Sequence, residues 1–98
     1  MYLLNVYQYL KPGTTAEFLA KVRELEICQL AAKEPGCVKY EYYVPDCSAD
    51  EEHVLLVEKW ASREDQQGHL KLEAFRRLQS FSGDYVLRSA LEAHTTED

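Results

Sequence analysis

The chain reads as an α+β domain of order βαββαβ, a four-stranded antiparallel sheet with helices on one face. Three observations in its 98 residues lead there. Four segments carry strand-type apolar patterning and two others carry helical spacing. Breakers stand at the junctions: KPG at 11–13, EPG at 34–36 and SGD at 82–84. A short polar loop alone separates the middle two strands, so they form a hairpin, while each outer strand reaches a middle one through a helix. That split arrangement puts both helical regions on the same side of the sheet.

The first strand is Met1 to Leu10, where Leu3, Asn5, Tyr7 and Tyr9 alternate with Leu4, Val6, Gln8 and Leu10. Thr14 with Glu17 three residues on is a capping box and opens a helix. Phe18, Val22 and Leu25 recur at helical spacing, but Leu19, Ile27 and Leu30 fall on another side, which predicts burial on two faces or a kink. The helix ends near Lys33 or Glu34, because the residue before Pro35 avoids the helical region. Gly36 opens a second strand, Val38 to Val44, with Tyr40 and Tyr42 on one face and Tyr43 on the other. Residues 45–52, PDCSADEE, are the hairpin loop, and the third strand runs from His53 to Ala61. Ser62 and Asp65 make a second capping box, starting a helical region that reaches Phe81, bends at Gly68 and carries Leu70, Ala74, Phe75 and Leu78 on its apolar side. Tyr85 to Leu91 is the fourth strand. One domain over 1–92 and a polar C-terminal tail over 93–98 result.

Size and charge narrow the function classes. A chain this short holds one core. Its net charge of −6 argues against a nucleic acid partner or an anionic membrane surface, both of which select clustered Lys and Arg. Apolar runs are only a few residues long, too short to span a bilayer. The N-terminus lacks the basic region and cleavage site of a signal peptide, so a cytoplasmic location is expected. Cys28, Cys37 and Cys47 are an odd number without C-x-x-C spacing, which suits reduced thiols and neither a metal site nor a disulfide frame.

Strand patterning also predicts a partner. A sheet covered on one side shows polar residues on the other, yet here Leu4 and Val6 lie opposite Leu3 and Tyr7, and Val54 and Leu56 opposite Leu55 and Val57. A second copy packed sheet against sheet would cover that face, so a homodimer is expected. The other face then keeps a pocket beneath the helices, with an aromatic lining drawn from Tyr7, Tyr40 or Tyr42, Trp60, Phe18 and Phe75. Such a cleft suits a flat organic ligand. His69 is the candidate for proton transfer, because imidazole alone titrates near neutrality without help. Asn5 is a polar residue in an apolar strand, positioned to hold a ligand oxygen or to satisfy a neighbour. Glu58 shares a face with Trp60 and either orients a histidine or, as the preferred reading, forms an ion pair. Cys37 has no adjacent base to form a thiolate and reads as inert.

Taken in order, EPGCVKYEYY at 34–43, the strand end VLLVEKW at 54–60 and HL at 69–70 after the capped turn resemble the antibiotic biosynthesis monooxygenase family over roughly residues 2–81. The resemblance implies a ferredoxin-like fold in a dimeric α+β barrel. It also implies a cofactor-independent monooxygenase, without metal or flavin, that oxidises a small quinol, phenol or anthrone with dioxygen. His69, Asn5 and Trp60 would then act as catalytic residues, and Tyr7, Tyr40, Phe18, Phe75 and Glu58 would bind substrate. A haem-degrading branch resembles the chain at Asn5 but departs where its pocket tryptophan and haem-ligating histidine would stand, since His69 and Gln79 occupy those places. The remaining alternatives are an isomerase of a small phosphorylated signalling molecule, with Arg76, Arg77 and Arg88 as its basic groups, or a binding dimer without turnover.

Overall fold

A computed structural model of the chain describes residues 1–48 and 50–97. Strand β1 (Tyr2–Leu10) is followed by helices α1 (Thr15–Glu24) and α2 (Ile27–Ala32), then strands β2 (Cys37–Tyr43) and β3 (His53–Trp60). Helices α3 (Arg63–His69) and α4 (Glu73–Ser82) precede the last strand, β4 (Val86–Thr95). The sheet has the order β2-β3-β1-β4 with every pairing antiparallel, the arrangement expected from the sequence. Tyr2, Leu4, Val6, Gln8 and Leu10 of β1 and Val54, Leu56, Glu58 and Trp60 of β3 share the face beneath the helices. Phe18, Val22, Ile27, Ala31, Ala74, Leu78 and Phe81 close the core from above.

The first helical region breaks in two. Phe18 and Ile27 are nine residues apart, so at 3.6 residues per turn they would stand about half a turn from each other on one straight helix. Both are fully buried. The break at Glu26, whose φ of 53° is left-handed, reorients the chain so that Ile27 and Ala31 join Phe18 and Val22 in one core. The guanidinium of Arg77 donates to the Leu25 carbonyl at the end of α1, tying the break to α4. The second region breaks likewise, at residues 70–72 rather than at Gly68.

Helix capping matches the sequence at one end and departs from it at the other. Ser62 accepts from the Asp65 N–H as its capping box requires. Thr14 does not cap α1; its hydroxyl donates to the Lys11 carbonyl. The Glu52 carboxylate, from the β2–β3 loop, instead accepts from the N–H of Gly13 and from the N–H and hydroxyl of Thr15. These donors hold its carboxyl below the ordinary range, the Thr15 hydroxyl contributing most.

At the C-terminus β4 is longer than expected. It pairs with β1 as far as Tyr2↔Thr95, and Thr96 N–H adds a bond to the Met1 carbonyl. Residues 93–95 are therefore strand rather than tail; Asp98 of the expected tail lies outside the described residues, as does Ala49 of the hairpin loop.

The turn Glu34–Cys37 fixes the approach of α3. Gly36 has φ +76°, and a β-carbon there would collide with the Asp65 carboxylate in the first turn of α3. Its carbonyl accepts from Ala61 N–H at 2.7 Å, joining β2 to the end of β3. Gly36→Ala should therefore lower stability by at least the ~1–2 kcal/mol of forcing a side chain into left-handed backbone, with further loss from the clash. A chemical denaturation midpoint equal to wild type would refute that close approach.

Candidate active site

A cavity of about 590 Å³ lies between α3 and α4 and the covered face of the sheet. Its walls include His69, Glu58, Tyr40 and Phe75 from the sequence-predicted set, joined by Gln8, Gln66 and Gln79. His69 is positioned by the capped turn. Ser62 starts α3, and seven residues later its last position turns the imidazole inward, 2% exposed. The ring packs between Trp60 at 5.2 Å, Tyr40 at 5.3 Å and Phe75 at 5.7 Å between centroids.

The partner of this histidine is Glu34. Its carboxylate lies 2.6 Å from Nδ1, and its side chain is only 8% exposed. A carboxylate can only accept, so Nδ1 presents a proton to Glu34, and it is Nε2 that offers a lone pair to the cavity when the ring is neutral. The pair is a carboxylate-oriented imidazole in an aromatic wall, a geometry suited to taking a proton from a bound ligand.

Glu58 plays a different part from the ion pair expected of it. Its carboxylate accepts from the Trp60 indole Nε1–H at 3.0 Å, with the residue only 4% exposed. Burial raises its carboxyl above the ordinary range. The Trp60 N–H, chiefly, and the neighbouring His69 ring oppose that shift, and Glu34 adds to it. Trp60 itself is fully buried and does not line the cavity, and its one donor is taken by Glu58, so it supports the wall from behind. Phe18 is likewise core, packed on Tyr42, Phe81 and Tyr85, and does not reach the cavity.

Asn5 and Tyr7 are on the opposite face. Strand alternation places them with Leu3 and Tyr9, opposite Leu4, Val6 and Gln8, and neither lines the cavity. The Tyr7 hydroxyl donates to Glu92 at 2.7 Å, and Glu92 is the register partner of Asn5 on β4. The polar residue that β1 does send into the cavity is Gln8, 6% exposed. His53 is 7% exposed on that same outer face, packed by Tyr7 and Tyr9.

None of the three arginines weighed as phosphate ligands lines the cavity. Arg76 and Arg77 pair with Glu73, while Arg88 pairs with Glu51 and lies 3.8 Å from the Tyr9 ring centre. Cys28, Cys37 and Cys47 are unpaired, and burial lifts the Cys37 thiol to about 11, which supports its reading as inert. Among the described residues, no group of three or more His, Cys, Asp and Glu side chains is placed to hold a metal ion.

A ferredoxin-like α+β domain with a one-sided cavity and a carboxylate-held histidine defines a class of small cavity-bearing proteins. Within that class, the sequence profile of the antibiotic biosynthesis monooxygenase family matches residues 1–80, and the chain belongs to that family. Its fold is similar to a protein of Nitrosomonas europaea with a TM-score of 0.83 and 18% identity, covering 100% of both chains. An antibiotic biosynthesis monooxygenase structure matches with a TM-score of 0.81 and 21% identity over 100% of each chain. PA3566 from Pseudomonas aeruginosa matches with a TM-score of 0.81 and 15% identity, over 99% of this chain and 94% of that one. At such identities the likeness establishes the fold. No protein with a curated description matches the sequence, and no helix among the described residues is long and apolar enough to cross a membrane.

Proposed function

We propose that the chain is a cofactor-independent monooxygenase that oxidises a small, electron-rich aromatic substrate of the quinol, phenol or anthrone type with dioxygen. The observation that carries this reading is the His69–Glu34 pair in the wall of an aromatic cavity. Nε2 of His69 takes a proton from the substrate, and Glu34 stabilises the imidazolium that forms. The substrate anion is a far better one-electron donor to dioxygen than the neutral molecule. For a quinol, one oxygen atom enters the ring and the other leaves as water, with all four electrons drawn from the substrate, which becomes a hydroxyquinone. Burial of the histidine and its aromatic neighbours keeps bulk water from the anion.

Oxygen-electrode measurements with a panel of hydroquinones and anthrones test this. Substrate-dependent uptake above the uncatalysed rate is expected, and its absence across the whole panel would overturn the reading. Arg76, Arg77 and Arg88 stand apart from the cavity and, among the described residues, Arg63 is the one arginine or lysine that lines it, which gives a phosphorylated substrate a single cation rather than a cluster. Gln79 lines the cavity where the haem branch would place its axial histidine, and an amide is a poor iron ligand.

The same reading includes a cytoplasmic homodimer. Proteins of this family are generally small dimers. Leu3, Leu55 and Val57 are only partly buried on the face away from the helices, and Leu87 and Leu91 of β4 are 57% and 65% exposed. Sheet-to-sheet packing would cover the first three. The solution mass at low micromolar concentration should be twice that of the chain, and Val57→Arg should halve it. A wild-type mass of one subunit would remove the dimer from the proposal.

A further inference from the structure

Buried polar atoms in folded proteins nearly always have a hydrogen-bond partner, and an orphan costs about 1–3 kcal/mol. Among the described residues three side-chain atoms are buried and unpartnered: Gln8 Oε1, the Tyr40 hydroxyl and the Tyr42 hydroxyl. They lie together. Tyr40 and Tyr42 are two apart on one face of β2. The Gln8 amide is within hydrogen-bonding influence of the Tyr42 hydroxyl. Gln8 and Tyr40 both line the cavity, at 6% and 3% exposure, and Tyr40 stands 5.3 Å from the His69 ring. Gln8 Oε1 and the Tyr40 hydroxyl, two unmet groups at one cavity wall, are a concentrated cost with no structural return inside the protein.

We propose that Tyr40 and Gln8, with Tyr42 behind them, form a polar subsite that recognises an aromatic ligand carrying two oxygen substituents. The Tyr40 O–H donates to the oxygen that His69 deprotonates, and Gln8 Oε1 accepts from a second hydroxyl on the same ring. Tyr42 fixes the Gln8 amide. Burial holds the Tyr40 hydroxyl far above its ordinary titration range, so it stays protonated and serves as a donor throughout neutral pH. A donor beside a forming phenolate acts as an oxyanion hole does, favouring the anion in a site poor in water. The subsite rests on the cavity being the substrate site, as proposed above, and narrows its ligand to dihydroxy aromatics.

The test is binding without turnover. Under argon, 4-nitrocatechol and 4-nitrophenol are titrated into wild-type protein, Tyr40→Phe and Gln8→Leu, with absorbance as the readout. Wild type should prefer the catechol by about tenfold, the worth of one net hydrogen bond. Tyr40→Phe should weaken both probes about tenfold, while Gln8→Leu should weaken the catechol alone and erase the preference. Because the Tyr40 hydroxyl is unbonded within the protein, Tyr40→Phe should melt no lower than wild type; a lower melting temperature would mean the hydroxyl serves the fold. Affinities unchanged in both variants would show that the groups hold water only and would overturn the subsite, as would no binding of either probe by wild type. The two proposals fail separately. Binding that behaves as described without any oxygen uptake sinks the oxygenase and leaves the subsite standing. Uptake with affinities indifferent to Tyr40 and Gln8 does the reverse.

Discussion

Replacing His69 with glutamine should lower substrate-dependent oxygen uptake by about 10²–10⁴-fold, the usual contribution of a positioned general base. Glutamine is the informative choice. Alanine would leave the Glu34 carboxylate, 8% exposed, without its partner at 2.6 Å. Leaving a buried carboxylate unpaired that way costs about 3–5 kcal/mol and would confuse lost activity with lost fold. A glutamine amide can still donate to Glu34 but has no basic nitrogen to offer the cavity. Glu34→Gln separates positioning from chemistry: the ring keeps an acceptor at Nδ1 but loses the negative charge that supports the imidazolium. Its kcat should fall about 10–100-fold with KM nearly unchanged, as when an orienting partner behind a functional histidine is removed. Uptake equal to wild type in both variants would exclude the pair from the reaction. Loss confined to KM would make His69 a binding group.

How much of this site could be read in the chain depends on sequence distance. His69 was legible because the Ser62–Asp65 cap fixes where α3 begins, and a helix of known start fixes the direction of its last residue. Glu34 was not, because its bond to His69 spans 35 residues and its only local signal is the proline-glycine turn beside it. Glu52 at the start of α1 is the same kind of miss: a local capping box at Thr14 and Glu17 competes on paper with a carboxylate 37 residues away. The exchange of Asn5 for Gln8 has a different origin. Both faces of β1 carry apolar residues, each interrupted by a polar one, and strand periodicity cannot say which face the helices cover. Sheet order and helix packing decide that, and they put Gln8 inside. The end of β4 was hidden for a related reason. Every residue of that strand after Val86 is exposed, so no buried face imposes alternation on its sequence.

Trp60→Phe should destabilise the fold by about 3 kcal/mol at neutral pH, a large share of the 5–15 kcal/mol available to a domain. Two losses add. Phenylalanine underfills a fully buried indole site. It also removes the Nε1–H that reaches Glu58 at 3.0 Å, and a hydrogen bond to a charged group is worth about 1.5–3 kcal/mol. The second loss depends on pH. Glu58 is raised in the fold above its ordinary 4.5, by burial first, so its protonated form is the one the fold prefers. Its contribution is thus complete below about 4.5 and is lost as pH rises through the raised value. Removing the indole donor takes away the main force opposing that rise, so the folded-state value climbs further. The penalty of Trp60→Phe should therefore be smallest in acid, where the packing loss and a weaker neutral hydrogen bond remain, and grow as pH increases. Glu58→Gln supplies the control. Alone it should raise the melting temperature at neutral pH, since it retains an acceptor for Trp60 and buries no charge, and it should flatten stability against pH. Combined with Trp60→Phe it should leave the cavity term and the loss of one neutral hydrogen bond, both constant with pH. A Trp60→Phe penalty that is equal at pH 4 and pH 8 would mean that the Glu58 carboxylate gains nothing from the indole, and the support behind the His69 wall would be packing alone.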